Sequence, residues 1–165
     1  MGGAGLRGQS AGETSICTVG VTGSGLTYRG YDVVDLAENV TFEEVAYLLL
    51  HEKLPNSKEL KDYIEKLKSL RGLQPELRST LEGIPKTAHP MDVLRTGCSV
   101  LGNLEQEEGF LNQTDHADRM LSAFPSILSY WYQFSHHGKR IDTETNDDSI
   151  GGHFLHLLHG KESSQ

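Results

Sequence analysis

The stretch LTYRGYD, residues 26–32, and the segment TFEEVAYLLL, residues 41–50, decide how this chain folds. Before Asp32, apolar residues recur about every second position, which is typical of strands. After Thr41 they recur about every 3.6 positions, which is typical of helices. Glu44 follows Thr41 by three residues, which predicts a capping box in which each side chain satisfies a free backbone N–H at the helix start. The sequence therefore predicts a small β element followed by a mainly α-helical chain.

The β element is predicted to be a hairpin over residues 15–31 with a glycine-bearing turn. Its turn, GVTGSG at residues 20–25, must be compared with the glycine-rich loops that bind phosphate. A P-loop needs Lys and then Ser or Thr after its last glycine, where Leu26 and Thr27 stand, and the dinucleotide pattern needs a glycine where Tyr28 stands. A plain turn is therefore predicted, preceded by a flexible arm over residues 1–14.

Helical periodicity and boundary signals predict six helices after the hairpin. Pro75 and Pro90 suit the first turn of a helix, and Ser149 suits an N-cap. Gly72 and Gly160 suit the position just past a helix C-terminus. The predicted helices cover residues 41–51, 57–70, 75–82, 90–104, 114–135 and 149–158, and residues 162–165 are a tail.

The apolar positions predict which faces of two helices point inward. The inward face of helix 41–51 is predicted to hold Phe42, Val45, Leu48 and Leu49. The apolar stripe of helix 90–104 is predicted to hold Met91, Leu94, Cys98 and Leu101. Gly97 lies beside that stripe and is small enough to let another helix approach closely, so a close helix–helix contact is expected there.

The predicted helix 114–135 is apolar on every side over its second half. A monomer of 165 residues would struggle to cover all of that surface. Part of this surface is therefore expected to meet another chain or a part of the protein outside this sequence. Pro125 predicts a kink within the helix.

Charge and hydropathy argue against two classes of partner. The net charge is -8 and the 15 Lys and Arg residues are scattered, so no face that neutralises nucleic-acid phosphates is predicted. The lysines of helix 57–70 are expected on its solvated face. The most apolar run, residues 120–134, is shorter than the ~20 residues of a membrane helix, and the first residues resemble neither a secretory signal nor a transit peptide. No nucleic-acid or membrane partner and a cytoplasmic location are predicted.

Cysteine and histidine positions give the candidates for thiol and metal chemistry. Cys17 and Cys98 show no CxxC spacing, so both are predicted to be free thiols. His153, His156 and His159 recur every third residue, which makes consecutive pairs neighbours on a helix surface. A metal site would need further ligands, and no HxxxH or HExxH pattern occurs. The three histidines are therefore interpreted as hydrogen-bonded structural residues.

The carboxylates of residues 102–113 are candidates for acid–base chemistry, because paired carboxylates can exchange protons with a substrate. Glu105, Glu107 and Glu108 lie in a charged run without an apolar pocket, so they are predicted to be solvated residues of an exposed loop.

Several motifs in register resemble those of the citrate synthase family. They are TYRGYD at 27–32, FEEVAYLLL at 42–50, LP at 54–55, RGL at 71–73, HPMDVLRTG at 89–97, YWY at 130–132 and DDSIGGHFLHLLHG at 147–160. The later motifs are most similar to those of the bacterial 2-methylcitrate synthase branch. The resemblance extends over residues 4–161.

The resemblance implies a mainly α-helical fold, the N-terminal portion of the family's large domain, with a small N-terminal β-hairpin. It implies an acyltransferase that condenses propionyl-CoA with oxaloacetate and water, releasing 2-methylcitrate and CoA, with no tightly bound cofactor. It also implies a homodimer formed through helices 90–104 and 114–135.

The family's catalytic histidines and aspartate, and its CoA-binding segments, correspond to positions beyond residue 161. The resemblance therefore assigns no catalytic, cofactor-binding or metal-binding residue here, and this chain alone is expected to be inactive. Arg29 is expected to make structural hydrogen bonds, because the family's carboxylate-binding arginines also lie beyond that point. Two alternatives stay open: a citrate synthase that uses acetyl-CoA, and a non-catalytic helical dimerisation module.

Overall fold

The computed structural model describes residues 12–20, 25–106 and 112–161, in two compact units that divide after Pro55. The first unit holds β1 (Cys17–Thr18), β2 (Thr27–Tyr28), β3 (Tyr31–Asp32), α1 (Val33–Asn39) and α2 (Phe42–His51). The second unit holds α3 (Ser57–Ser69), α4 (Pro75–Glu82), α5 (Pro90–Leu104), α6 (Gln113–His137) and α7 (Ile150–His159). The mainly α-helical architecture with a small β element is confirmed.

The predicted hairpin is present as an antiparallel pair of β1 and β2, in which Cys17 lies opposite Tyr28. Its turn, residues 21–24, lies outside the described residues, as do most of the predicted arm and the tail. A third strand, β3, was not predicted. It pairs with β2 through a two-residue turn in which Arg29 and Gly30 have φ of 49° and 90°. Two positive φ values match the twist of a tight hairpin, and the glycine adopts its value without steric cost.

Helix α1 was also not predicted. Asp32 caps it, because its Oδ1 accepts a hydrogen bond of 2.8 Å from the backbone N–H of Val34. Val33 and Val34 favour strands by propensity, so periodicity did not reveal this seven-residue helix. The cap, at the end of β3, starts the helix despite these two valines.

The predicted capping box of α2 is confirmed. Thr41 Oγ1 accepts from the N–H of Glu44 at 3.3 Å, and Glu44 Oε2 accepts from the N–H of Thr41 at 2.8 Å. Leu48 is buried as predicted, but the prediction that Phe42 points inward was wrong, because its exposed fraction is 56%. The helical period determines which residues share a face, and it does not determine how far along that face neighbouring elements extend.

The second unit is organised around α6, which packs against α3, α4, α5 and α7. Its core comprises Leu73, Leu77, Leu81, Val93, Leu101, Ala123, Ile127, Tyr130 and Trp131. Trp131 is only 3% exposed and Tyr130 only 2%. The part of α6 near Trp131 is therefore covered within the chain, in a core shared with α4 and α5. The expectation that part of the surface of α6 meets another chain stays a prediction.

The boundaries of the five helices in this unit agree with the predictions to within two residues. Pro75 and Pro90 occupy first-turn positions, and Gly160 ends α7 with φ of 67°. The role predicted for Gly72 was wrong. Leu70 is the C-cap of α3, and Gly72 instead faces Glu144, whose Oε1 would lie 2.9 Å from an added Cβ. Helix α6 continues through Pro125.

The inward face of α5 agrees with the predicted stripe at Leu101 and differs from it at Met91. Met91 is 64% exposed, whereas Val93, Gly97 and Leu101 are buried. These three residues also recur every fourth position, so helical spacing alone does not decide between the two stripes. The close contact expected at Gly97 is confirmed, because a Cβ there would lie 2.8 Å from Cγ2 of Ile127 on α6.

Candidate functional site

A cluster of polar side chains lies between α6, α7 and the segment that precedes α7. At its centre is His153, which has no exposed surface. Its Nε2 lies 3.0 Å from Oγ of Ser126 on α6, and its Nδ1 lies 2.9 Å from Oγ1 of Thr145. We call this cluster the buried histidine network; its members are Arg71, Ser126, Thr145, Asp147, His153 and His156.

The caps of α7 fix the position of His153. Ser149 Oγ accepts a hydrogen bond of 2.9 Å from the N–H of Gly152, as predicted, and the left-handed Gly160 ends the helix. Between these caps, the helical period turns His153 and Leu157 toward α6, and both are buried. Helix α6 supplies two further contacts, because Nε2 of Gln133 donates to the backbone oxygens of Leu157 and Leu158 at 3.1 and 2.9 Å.

Burial and a neighbouring cation keep His153 neutral. Burial is the larger cause and the charge of Arg71 adds to it, and together they lower the pKa of His153 to about 4. Arg71 is itself only 1% exposed and donates through Nη1 to the backbone oxygen of Thr145 at 2.8 Å. A neutral imidazole has one donor and one acceptor nitrogen, and each of the two nitrogens of His153 has a hydroxyl within hydrogen-bond distance.

His156 extends the network toward the surface. Its Nδ1 lies 2.7 Å from Oδ2 of Asp147. Burial acts to raise the pKa of Asp147, but hydrogen bonds from Thr145 and His156 outweigh it, so that pKa is lowered. Asp147 is therefore an anion at neutral pH that holds two members of the network in place.

Ser126 and His153 have the spacing of a nucleophile and its base, but their burial excludes that role here. Catalysis would require a substrate to reach the serine hydroxyl, and both side chains have 0% exposure. The network instead connects α6, α7 and the loop between them. The interpretation of His153 and His156 as hydrogen-bonded structural residues is confirmed, and His159 is exposed. Within the described ranges, no group of three or more His, Cys, Asp and Glu side chains is placed to hold a metal ion.

Lowering the pH is expected to destabilise the chain through His153. Its ordinary pKa of about 6.5 applies in the unfolded chain, and the folded value is about 4. The unfolded state therefore binds the extra proton first, so this stabilisation is complete above about pH 6.5 and is lost as the pH falls toward about 4. Urea unfolding of the wild type and of His153→Gln at several pH values measures the effect. The wild type should lose stability over this range more steeply than the variant, and parallel curves would contradict the prediction.

A second buried charge lies where α3 meets α6. Asp118 has 0% exposure and accepts hydrogen bonds of 2.7 Å from Tyr63 Oη and from Lys66 Nζ. Lys66 also pairs with Asp115 at 2.7 Å. Burial acts to lower the pKa of Lys66, but its bonds to Asp115 and Asp118 outweigh it and raise that pKa. The prediction that Lys66 lies on a solvated face was wrong. Its carboxylate partner Asp118 is distant in the sequence, so the sequence pattern of α3 did not reveal the contact.

The prediction for Glu105 was also wrong. This residue is the C-cap of α5, and its carboxylate accepts hydrogen bonds from Arg119 Nε at 3.0 and 3.1 Å and from Gln74 Nε2 at 3.0 Å. Arg119 on α6 supplies the charge that makes a half-buried carboxylate stable there. Glu107 and Glu108 lie outside the described residues.

Arg29 makes structural contacts, as expected. Its Nη1 donates to Ser15 Oγ at 2.6 Å, and its Nη2 donates to the backbone oxygen of Leu49 at 3.1 Å. Glu52 pairs with the same guanidinium at 3.2 Å. Both cysteines are free, as predicted.

Sequence reasoning missed Ser126 as a member of the network. A signal for it exists, because Ser122, Ser126 and Ser129 are spaced by four and three along an otherwise apolar helix and are all buried. Buried hydroxyls usually have hydrogen-bond partners, which predicts a polar contact at that face, as Ser126 makes with His153. Thr145 and Arg71 carry no comparable signal, since they lie in irregular segments.

None of the helices in the described ranges is both long enough and apolar enough to cross a membrane. The protein is mainly helical, and the side chains of the buried histidine network hold its helices together.

Comparison with known proteins identifies the family. Residues 5–165 match the family model described as citrate synthase, C-terminal domain. The chain is 68% identical over 162 residues to the 2-methylcitrate synthase of Shewanella oneidensis, which covers 98% of this chain and 43% of that protein. It is 32% identical over 166 residues to the citrate synthase of Heyndrickxia coagulans, which covers 98% of this chain and 44% of that protein.

Solved structures agree. The citrate synthase of Thermotoga maritima is 34% identical and superposes with a TM-score of 0.82 over 99% of this chain and 43% of that one. The Thermoplasma acidophilum citrate synthase, solved with carboxymethyl coenzyme A and oxaloacetate, has a TM-score of 0.86 at 20% identity over 97% of this chain and 42% of that one, which supports the fold. The chain belongs to the citrate synthase family. It spans less than half the length of the curated relatives it matches.

Proposed function

We propose that this chain is the N-terminal helical portion of a 2-methylcitrate synthase, an acyltransferase that condenses propionyl-CoA with oxaloacetate and water to give 2-methylcitrate and CoA. The observation that carries the proposal is the 68% identity to the Shewanella oneidensis 2-methylcitrate synthase, against 32% to the Heyndrickxia coagulans citrate synthase. A location in the cytoplasm is part of the proposal.

In this proposal the described residues supply the scaffold of the enzyme. Their strongest polar contacts are directed within the chain: His153 to Ser126 and Thr145, and Asp118 to Tyr63 and Lys66. Side chains in such buried hydrogen bonds fix the helices relative to one another. In this proposal, other residues transfer protons and bind the substrates. The chain alone is accordingly expected to be inactive.

The proposal includes a homodimer formed through α5 and α6. Gly97 and Trp131 do not support it, since both are already covered within the chain. Met91 and Leu104 on α5 remain 64% and 37% exposed and are the apolar residues of these helices available to a partner.

A segment exchange tests the proposed function. The matching 162 residues of the Shewanella oneidensis enzyme are replaced by the corresponding residues of this chain, and CoA release from propionyl-CoA and oxaloacetate is followed with a thiol reagent. We expect the hybrid to form 2-methylcitrate, with a preference for propionyl-CoA over acetyl-CoA like that of its parent. We expect the isolated chain to release no CoA.

The same exchange into the Heyndrickxia coagulans citrate synthase is the matched control and is expected to give little activity, because 32% identity preserves few of the contacts across the junction. A hybrid of the Shewanella oneidensis enzyme with the circular dichroism of its parent but no activity would contradict the proposal and favour a non-catalytic helical module. Equal recovery in both parents would favour a general citrate synthase scaffold. Light scattering of the active hybrid, with and without Met91→Glu, tests the dimer.

A further inference from the structure

A small cleft between α5 and α6 is lined by three side chains that bind soft metal ions. Its volume is about 120 Å³, and Cys98, His116 and Met120 are among its lining residues. It lies apart from the buried histidine network, and of its lining residues Leu101 belongs to the core while Glu105 and Arg119 form an ion pair.

The distance between the two sulfur atoms is already close to the distance between two ligands of one metal ion. Cys98 is a free thiol, and its Sγ lies 3.5 Å from Sδ of Met120. Two sulfur ligands held about 2.3 Å from a tetrahedral ion lie about 3.8 Å apart, so a small outward shift of either side chain would admit the ion. Both side chains are only partly buried, and methionine has three flexible bonds with which to make such a shift.

His116 can supply a third ligand. It lies one helical turn before Met120 on α6, so the two side chains share a face. Its Nε2 is buried and makes no hydrogen bond within the described part of the chain. A buried ring nitrogen without a partner is costly, and a metal ion is one of the partners that imidazole accepts.

The charges around the cleft favour a monovalent soft ion. Glu105 and Arg119 line it as well, but they neutralise each other at 3.0 Å, so the carboxylate is not free to coordinate a hard cation. The remaining donors are a thiol, a thioether and an imidazole. Thiolate and thioether ligands select copper(I), whereas magnesium and calcium require oxygen donors.

We propose that Cys98, Met120 and His116 bind one copper(I) ion in this cleft. On binding, the Cys98 thiol releases its proton to the solvent and a copper–sulfur bond forms, while Met120 Sδ and His116 Nε2 each donate a lone pair. Copper stays in the +1 state throughout, so no oxidant or reductant is needed.

Competition with a copper(I) indicator tests the proposal. The full chain, carrying Cys17→Ser so that Cys98 is its one cysteine, is titrated without oxygen into copper(I) bicinchoninate. We expect one copper(I) per chain to be withdrawn. Met120→Leu, which keeps the shape of the side chain, and His116→Gln should each weaken binding at least about tenfold, the scale of loss at metal sites when even a supporting group is removed. Met91→Leu, on the exposed face of α5, is the matched control and should change nothing.

The proposal is overturned if Met120→Leu and His116→Gln bind copper(I) as tightly as the Cys17→Ser chain, because the ion would then be held by the thiol alone. It is also overturned if zinc displaces copper(I) at equal concentration. X-ray absorption of the copper-loaded chain does not depend on any ligand variant folding. Two sulfur neighbours and one nitrogen neighbour are expected, and a shell with one sulfur or none would contradict the assignment.

Discussion

Replacing Trp131 by alanine is expected to lower the free energy of unfolding by about 3–5 kcal/mol, the range for removing a buried aromatic side chain. Trp131 is 3% exposed and belongs to the core between α4, α5 and α6. Its Nε1 also donates to the backbone oxygen of Ile84 at 3.3 Å, and this acceptor would lose its partner. Urea unfolding followed by circular dichroism measures the change, since the variant has no tryptophan fluorescence.

Two further variants test whether the loss of stability comes from the buried position and size of the Trp131 side chain. Trp131→Phe keeps an aromatic ring in the core and should cost less than the alanine variant, because the cavity it leaves is smaller. Met91→Ala removes a side chain that is 64% exposed on the same unit and should change stability by no more than about 0.5 kcal/mol. If Trp131→Ala cost no more than Met91→Ala, Trp131 would not be buried by this chain in solution.

Adding one methyl group at Gly97 is expected to destabilise the second unit by about 1–3 kcal/mol. A Cβ there would lie 2.8 Å from Cγ2 and 3.1 Å from Cδ1 of Ile127, which has no exposed surface. The β-branched isoleucine has one strongly preferred rotamer in a helix, so it cannot relieve the clash by changing its rotamer. The loss should occur even though alanine is intrinsically better in a helix than glycine by about 1 kcal/mol.

Two comparisons make the Gly97→Ala result specific. Gly102 lies in the same helix with open space around it, so Gly102→Ala should stabilise by about 0.5–1 kcal/mol. In an Ile127→Ala background the clash is absent, and Gly97→Ala should then change sign and stabilise. Additive effects of Gly97→Ala and Ile127→Ala would show that the two residues are not in contact.

The helix ends could be read from the sequence because their signals are local. The Thr41–Glu44 capping box, Pro75, Pro90 and the Ser149 cap each act within a few residues of themselves, so no knowledge of the rest of the fold is needed. The short elements were missed because each is marked by only one or two residues. The strand β3 and helix α1 depend on a two-residue turn and a single aspartate cap, and β-branched valines obscure the helical start.

The inward faces could be predicted only in part, because periodicity leaves a choice that packing decides. On α5 the stripe through Met91 and the stripe through Val93 have similar spacing, and the structure buries the second, where Ile127 packs too close to Gly97 to leave room for a Cβ. The polar contacts were the least predictable. Lys66 and Asp118 are far apart in the chain, as are Ser126 and His153, and nothing in either local pattern specifies the partner.

The position of α6 in the sequence determines the time between the synthesis of its neighbouring helices and its own synthesis. Helices α3, α4 and α5 precede α6, and their buried faces are directed at it. From the end of α3 at Ser69 to the end of α6 at His137 the ribosome adds 68 residues, which takes about 3–14 s at about 5–20 residues per second. For that interval the leucine-rich faces of α3, α4 and α5 lack the helix that covers them in the folded chain, and α4 and α5 can cover each other only in part.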